Sequence, residues 1–74
     1  MGRLSGFRYR EVARRLRAFG FEFDRHGPGS HELWRHPDTG RKVALPHQVR
    51  DMAEGTLRVI LREAGVAVED FLEA

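Results

Sequence analysis

The chain has 74 residues, which leaves room for a single domain over residues 1–74 with a small core. It contains no cysteine, which excludes disulfide bonds and thiolate zinc sites. No apolar run is long enough for a membrane span or a signal-peptide core, so we expect a soluble cytoplasmic protein that does not interact with membranes.

The net charge of +2 is distributed unevenly along the chain. Residues 1–50 contain eleven basic and five acidic side chains, whereas residues 51–74 contain two basic and six acidic ones. Ten of the eleven early basic residues are arginines, whose planar guanidinium groups bind phosphate through paired hydrogen bonds. This asymmetry favours a basic face that meets phosphates, although a charged surface that only keeps the protein soluble is an open alternative.

Apolar side chains recur at helical spacing from about Arg8 to Phe19 and predict an amphipathic helix that ends at Gly20. Three arginines share the opposite, solvent-facing side of this helix: Arg10, Arg14 and Arg17.

Three short alternating runs follow and predict strands: FEFDR at 21–25, SHELWRH at 30–36 and RKVALP at 41–46. The intervening HGPG and PDTG segments are typical of tight turns, so the strands should form an antiparallel meander. A hairpin closed by PDTG places Trp34 opposite Val43 and His31 opposite Pro46. A hairpin closed by HGPG places Phe21 opposite Trp34 and Asp24 opposite His31.

Both predicted registers put the same set of apolar side chains on one face of the sheet. That face, which the helices should cover, carries Phe21, Phe23, Trp34, Val43 and Leu45. The open face then carries His31, Leu33, Arg35 and Lys42. His47 follows directly after the third strand.

The segment DMAE predicts the start of a second helix, with Asp51 as its N-cap and Glu54 completing a capping box. This helix should end at Gly65, and VEDFLEA should add a short helical turn docked through Phe71 and Leu72. The predicted fold class is α+β, in the order α-β-β-β-α, with a three-stranded antiparallel sheet covered on one face by two helices.

The stretch GFEFDRHGPGSHELWRHPDTGRKVALPH, followed by GTLRVILREAG, resembles the HicA toxin family of mRNA interferases. The resemblance runs from about Glu11 to Phe71. It implies a fold like that of the double-stranded-RNA-binding domain, cleavage of mRNA, and an acidic HicB-like antitoxin protein as partner. The family's catalytic histidine is the one in the Gly-Ser-His motif, here His31. This sequence departs from the family at Glu32, where many members have a second histidine, and at Pro28, an extra residue in the turn.

These residues permit RNA cleavage without a metal, because the 2′-hydroxyl of RNA can attack the adjacent phosphate. Histidine is suited to transfer the protons, so His31 is the candidate general base or acid. Asp24, if it lies opposite, could orient the imidazole, and Arg35 and Lys42 could stabilise the charge of the transition state. His47 is the candidate for the complementary proton-transfer group.

The arginines of the first helix and the other histidines are assigned roles outside the catalytic step. Arg10, Arg14 and Arg17 are candidates for binding RNA, because the first helix of such folds often meets the minor groove. The four histidines show no metal-ligand spacing, so we expect no metal and no other cofactor. His26 and His36 are interpreted as turn and strand-end residues. Two other functions stay open: a non-catalytic RNA-binding module, and a protein-interaction domain whose basic face holds an acidic partner.

Overall fold

The computed structural model describes residues 2–74 and has the predicted α+β architecture. Its elements are α1 (Tyr9–Ala18), β1 (Glu22–His26), β2 (His31–Arg35), β3 (Lys42–Pro46), α2 (Glu54–Ala64) and α3 (Val68–Glu73). The strands form one antiparallel sheet in the order β1-β2-β3. Within residues 2–74, no helix combines the length and the apolar character needed to cross a membrane.

The core lies between one face of the sheet and the helices. Alternation along β2 and β3 buries Trp34, Val43 and Leu45 on this covered face, as predicted. The helices contribute the apolar stripes that the 3.6-residue period predicts: Val12, Ala13 and Leu16 from α1, and Leu57, Ile60, Leu61 and Ala64 from α2. The other face of the sheet, called the open face below, is packed against none of the helices in residues 2–74.

The register of the second hairpin confirms the prediction. Trp34 pairs with Val43, and His31 pairs with Pro46. In the closing turn, the His36 amide donates to the Arg41 carbonyl at 2.9 Å, and the Gly40 amide donates to the His36 carbonyl at 2.8 Å. The His36 ring also accepts backbone hydrogen bonds through Nδ1, from the amides of residues 38 and 39. His36 therefore has a structural role in this turn.

The predicted register of the first hairpin is wrong by two to three residues. Phe23, not Phe21, pairs with Trp34, and a β-bulge at Asp24 then shifts the ladder so that Arg25 pairs with Leu33. The Gly27 amide continues the ladder by donating to the His31 carbonyl at 2.9 Å, so Gly27 and not Asp24 lies opposite His31. The turn itself spans residues 27–30, one residue later than predicted.

The two long helices pack mainly against β3 rather than β1, which explains why the apolar pattern of β1 is only partly buried. Phe23 stays 44% exposed, although its ring meets that of Trp34 edge-on at 6.2 Å. Phe21 is buried, but it lies before the first residue of β1. Both phenylalanines were expected on the covered face as strand residues. Only Phe21, which lies outside the strand, is buried.

The prediction that Asp51 caps α2 is also wrong. The helix begins at Glu54, its N-cap is Ala53, and no side chain caps it. Asp51 instead accepts a hydrogen bond from Arg8 Nε at 3.0 Å, which fixes the segment before α1 to the segment before α2. The predicted end of α2 is confirmed, because Gly65 adopts the left-handed conformation with φ of 73°.

Segments near the two ends of the chain are held together against α1. The Arg15 guanidinium lies 4.9 Å from the centre of the Phe7 ring and 5.3 Å from that of Phe71, and Arg15 Nε donates to the Phe71 carbonyl at 3.1 Å. The Phe7 and Phe71 rings meet edge to face at 5.1 Å. Phe71 is fully buried, so α3 docks through the residue that the sequence indicated.

A matched pair of glycine substitutions tests the backbone at the end of α1. Gly20→Ala should lower the free energy of unfolding by about 1–2 kcal/mol, because Gly20 has a positive φ that disfavours a side chain. Gly55→Ala should raise it by about 0.4–1 kcal/mol, because Gly55 lies in α2 with open space at its Cβ position. Urea denaturation of the two variants measures both changes in the free energy of unfolding. Equal changes in the two variants would contradict the positive φ of Gly20.

Candidate functional site

His31 is the first residue of β2 and lies exposed on the open face. The residue opposite it is Gly27, directly after β1, and the Leu33 side chain lies against this glycine, with Cγ 3.4 Å from where a Cβ on Gly27 would stand. On the other flank it pairs with Pro46. Among residues 2–74, no side chain forms a hydrogen bond or ion pair with the His31 ring. The ring is therefore accessible to a ligand.

Basic side chains share the open face with His31. Arg35 and Lys42 pair directly across β2 and β3, as predicted, and both are exposed. Arg25 joins this face because it pairs with Leu33, whose side chain alternates with the buried Glu32 and Trp34. None of the three cations forms an ion pair with an acidic group in the described part of the chain.

Asp24 does not have the position that its predicted role requires. It is the unpaired residue of the β1 bulge, and it forms no ion pair with His31 among residues 2–74. The register from the Phe23–Trp34 pair would already place Asp24 opposite Leu33 rather than His31, and the bulge then shifts the later residues by one more. Asp24 is therefore not brought together with His31 by strand pairing.

His47 lies on the covered side of the sheet rather than on the open face. Its ring stacks on Tyr9 of α1 with 4.1 Å between ring centroids, and its Nδ1 lies 3.6 Å from Glu32 Oε2. Both partners lie on the covered side. The side chains of His47 and His31 therefore project from opposite faces of the sheet, at the same end of it. The structure does not bring the two predicted proton-transfer groups together.

Glu32 is a buried acid that the sequence analysis did not single out as a structural centre. It is only 6% exposed, and its Oε1 accepts hydrogen bonds from the Tyr9 hydroxyl at 2.6 Å and from Trp34 Nε1 at 3.1 Å. Burial alone would raise the pKa of Glu32, but these two donors and the nearby imidazoles of His47 and His26 together lower it below 4.5. Glu32 is therefore ionised at neutral pH and joins α1, β2 and the segment after β3.

Titration of Tyr9 tests this cluster directly, because Tyr9 is the only tyrosine in the chain. Burial, followed by the hydrogen bond to Glu32 and the charge of Glu32, raises the pKa of Tyr9 from 10.0 to about 12. Absorbance of the phenolate at 295 nm should therefore appear near pH 12 in the folded protein. Glu32→Gln should lower this pKa only in part, since burial remains. A midpoint near pH 10 in the folded wild type would contradict the geometry.

The three arginines of α1 do not share the open face with His31. Arg10, Arg14 and Arg17 are exposed as predicted, but α1 packs on the covered side of the sheet. The Arg17 guanidinium lies over the Trp34 ring, 4.8 Å from its centre, and so covers the edge of the core. The predicted basic residues therefore form two separate groups, one on the open face and one on α1.

Two residues of the site were missed by reasoning from sequence. Arg25 was missed because the bulge that brings it to the open face leaves no clear signal in FEFDRH. Glu32 could have been found, since a single acid at a covered-face position between His31 and Leu33 must have buried partners. Among residues 2–74, no group of three or more acidic or histidine side chains is placed to hold a metal ion.

Comparison with known proteins identifies the family of this chain. A search of curated proteins gave no match. The family model described as the HicA toxin of bacterial toxin-antitoxin systems matches residues 9–66, which include all three strands and both long helices. This match covers more than half of the chain and includes the Gly-Ser-His motif at the start of β2. The chain therefore belongs to the HicA toxin family.

Proposed function

We propose that the protein is an endoribonuclease toxin that cleaves mRNA in the cytoplasm, without a metal, through His31. The observation that carries the proposal is the exposed imidazole of the Gly-Ser-His motif on a sheet face that no helix shields. Arg35 and Lys42 lie on the same face and form no ion pair with an acid among residues 2–74, although Glu22 is the cross-strand neighbour of Arg35. A neighbouring acidic HicB-like antitoxin would neutralise the toxin.

The proposed reaction uses the RNA's own nucleophile. The 2′-hydroxyl oxygen attacks the adjacent phosphorus and loses its proton, while the bond from phosphorus to the 5′-oxygen breaks and that oxygen gains a proton. The products are a 2′,3′-cyclic phosphate and a 5′-hydroxyl. His31 transfers one of these protons, while Arg35 and Lys42, at the other end of β2, attract the RNA strand to the open face.

The geometry restricts which other residues take part at His31. Asp24 is not opposite the imidazole, and His47 lies on the other side of the sheet, bound to Glu32. The proposal therefore assigns one imidazole to the reaction and no orienting carboxylate. Arg10, Arg14 and Arg17 remain candidates for binding more distant parts of the RNA, because they are exposed on α1.

Cleavage of a long RNA in the presence of EDTA tests the proposal. We expect cleavage to continue after chelation and to leave 2′,3′-cyclic phosphate ends, detected by end-group analysis of the products. The matched control is the same RNA sequence with 2′-O-methyl groups, which should stay intact. Loss of activity in EDTA, or products with 5′-phosphate ends, would refute the metal-free mechanism.

Non-catalytic RNA binding is the second candidate function. It is favoured by the presence of a single imidazole on the open face, with no side-chain partner among residues 2–74 to orient it. It predicts salt-sensitive RNA binding without cleavage, and an affinity that changes little in His31→Ala. The EDTA experiment separates the two candidates, since only the first yields cyclic phosphate.

A further inference from the structure

The bulge at Asp24 decides on which face of the sheet Arg25 lies. Phe23 pairs with Trp34, and an unbroken ladder from that pair would place Arg25 opposite Glu32, on the covered face. The bulge inserts one extra residue, so that His26 pairs with Glu32 and Arg25 pairs with Leu33. Bulges often redirect a side chain near a functional site, and here the redirected side chain is a cation.

The surroundings of Arg25 leave its charge available. Opposite Glu32, an arginine would have met a buried, ionised carboxylate and formed an ion pair. On the open face its cross-strand partner is the half-buried Leu33, followed by Ala44 on β3. Arg25 is exposed, and within residues 2–74 it forms no ion pair with the acids of its own strand, Glu22 and Asp24.

His31 lies on the diagonal from Arg25, two residues before Leu33 on β2. Diagonal neighbours in an antiparallel pair are about 7–8 Å apart, a separation that a phosphate group can bridge between a long cation and an imidazole. Gly27 lies directly opposite His31 and has no side chain. The Leu33 side chain reaches toward Gly27, with its Cγ 3.4 Å from where a Cβ on Gly27 would stand, so a phosphate held between Arg25 and His31 would lie over this leucine.

We propose that Arg25 binds a phosphodiester of the RNA strand next to the bond that His31 cleaves. The inference rests on the proposed function only in that the ligand is RNA. Arg25 holds the strand against the open face from the β1 side, while Arg35 and Lys42 meet it at the other end of β2. It is a binding residue, and it transfers no proton.

Binding of a single-stranded 2′-O-methyl RNA, which cannot be cleaved, tests the contact apart from catalysis. Fluorescence anisotropy would measure the dissociation constant at several salt concentrations for wild type, Arg25→Ala, Arg25→Lys and Arg62→Ala. Arg62 is the matched control, because it is an exposed arginine in the last turn of α2, away from the open face. Circular dichroism would check that each variant is folded.

Arg25→Ala should weaken binding about tenfold, the effect of losing one charge-assisted hydrogen bond. The plot of the logarithm of the association constant against the logarithm of the salt concentration has a negative slope. Arg25→Ala should make this slope less steep by about 0.7, the value for one phosphate contact on a single strand. Arg25→Lys should keep the slope, and Arg62→Ala should change neither quantity by more than about twofold. Equal effects of Arg25→Ala and Arg62→Ala, or no RNA binding by wild type, would overturn the proposal. Wild-type binding without any cleavage of ordinary RNA would instead refute the nuclease function and leave this contact standing.

Discussion

Replacing His31 with alanine is expected to slow RNA cleavage by about 10²- to 10⁴-fold, the usual contribution of one general acid or base. The reason is that the His31 ring is the only imidazole that the described structure places on the open face. Expression of the wild type should arrest bacterial growth, and expression of His31→Ala should not. Single-turnover cleavage of a labelled RNA measures the rate.

His26→Ala provides the matched control for this experiment. His26 is the other exposed histidine that flanks the turn at 27–30, but it pairs with Glu32 on the covered side. Its removal should leave the cleavage rate within about threefold of wild type. His31 is exposed, and its ring has no hydrogen-bond or ion-pair partner among residues 2–74, so its alanine variant should also unfold at the same urea concentration as wild type. If His31→Ala cleaves as fast as His26→Ala, His31 is not the catalytic group.

Replacing Glu32 with alanine is expected to have the largest effect on stability. The variant leaves the Tyr9 hydroxyl and Trp34 Nε1 without their acceptor, and each unpaired buried donor costs about 1–3 kcal/mol. We expect the free energy of unfolding to fall by about 2–4 kcal/mol, a large share of what a domain of this size has. Glu63→Ala, an exposed glutamate of α2, is the control and should cost less than about 0.5 kcal/mol.

Acid sensitivity gives an independent measure of the same residue. Because the folded state lowers the pKa of Glu32, the unfolded state binds more protons, and stability rises with pH in this range. The contribution of Glu32 is complete above its ordinary pKa of 4.5 and is lost as the pH falls through the lower pKa of the folded state. Urea denaturation between pH 6 and 3 should show this loss in wild type and a weaker one in Glu32→Gln. Parallel curves for the two proteins would contradict the role of Glu32.

The fold could be predicted where hydrophobic period and turn chemistry agree. In the second hairpin, PDTG and the alternation of Trp34, Val43 and Leu45 select one register, and that register is found. The first hairpin lacks such a constraint, because every residue of β1 is exposed and its bulge depends on tertiary pairing. For the same reason the predicted pairing of Asp24 with His31 failed, while the exposure of His31 did not depend on it.

Local capping rules also had a limit in this chain. Asp51 has the residue type and spacing of an N-cap, but its carboxylate binds Arg8, which is distant in sequence and adjacent in space. The helix begins at Glu54, three residues after Asp51. His47 shows the same effect at the candidate site, since its contacts with Tyr9 and Glu32 are long-range and cannot be derived from the motif Leu-Pro-His.

The contacts that Arg15 makes with Phe7 and Phe71 have a topological consequence. Arg3 also reaches Glu69 at 3.3 Å, so the two terminal segments are neighbours, and a short linker could join them into a closed backbone ring. New ends could then be opened in the exposed loop of residues 37–40, which lies at the far tip of the second hairpin from His31. A circularly permuted form of this kind would carry a fused reporter at the tip opposite His31.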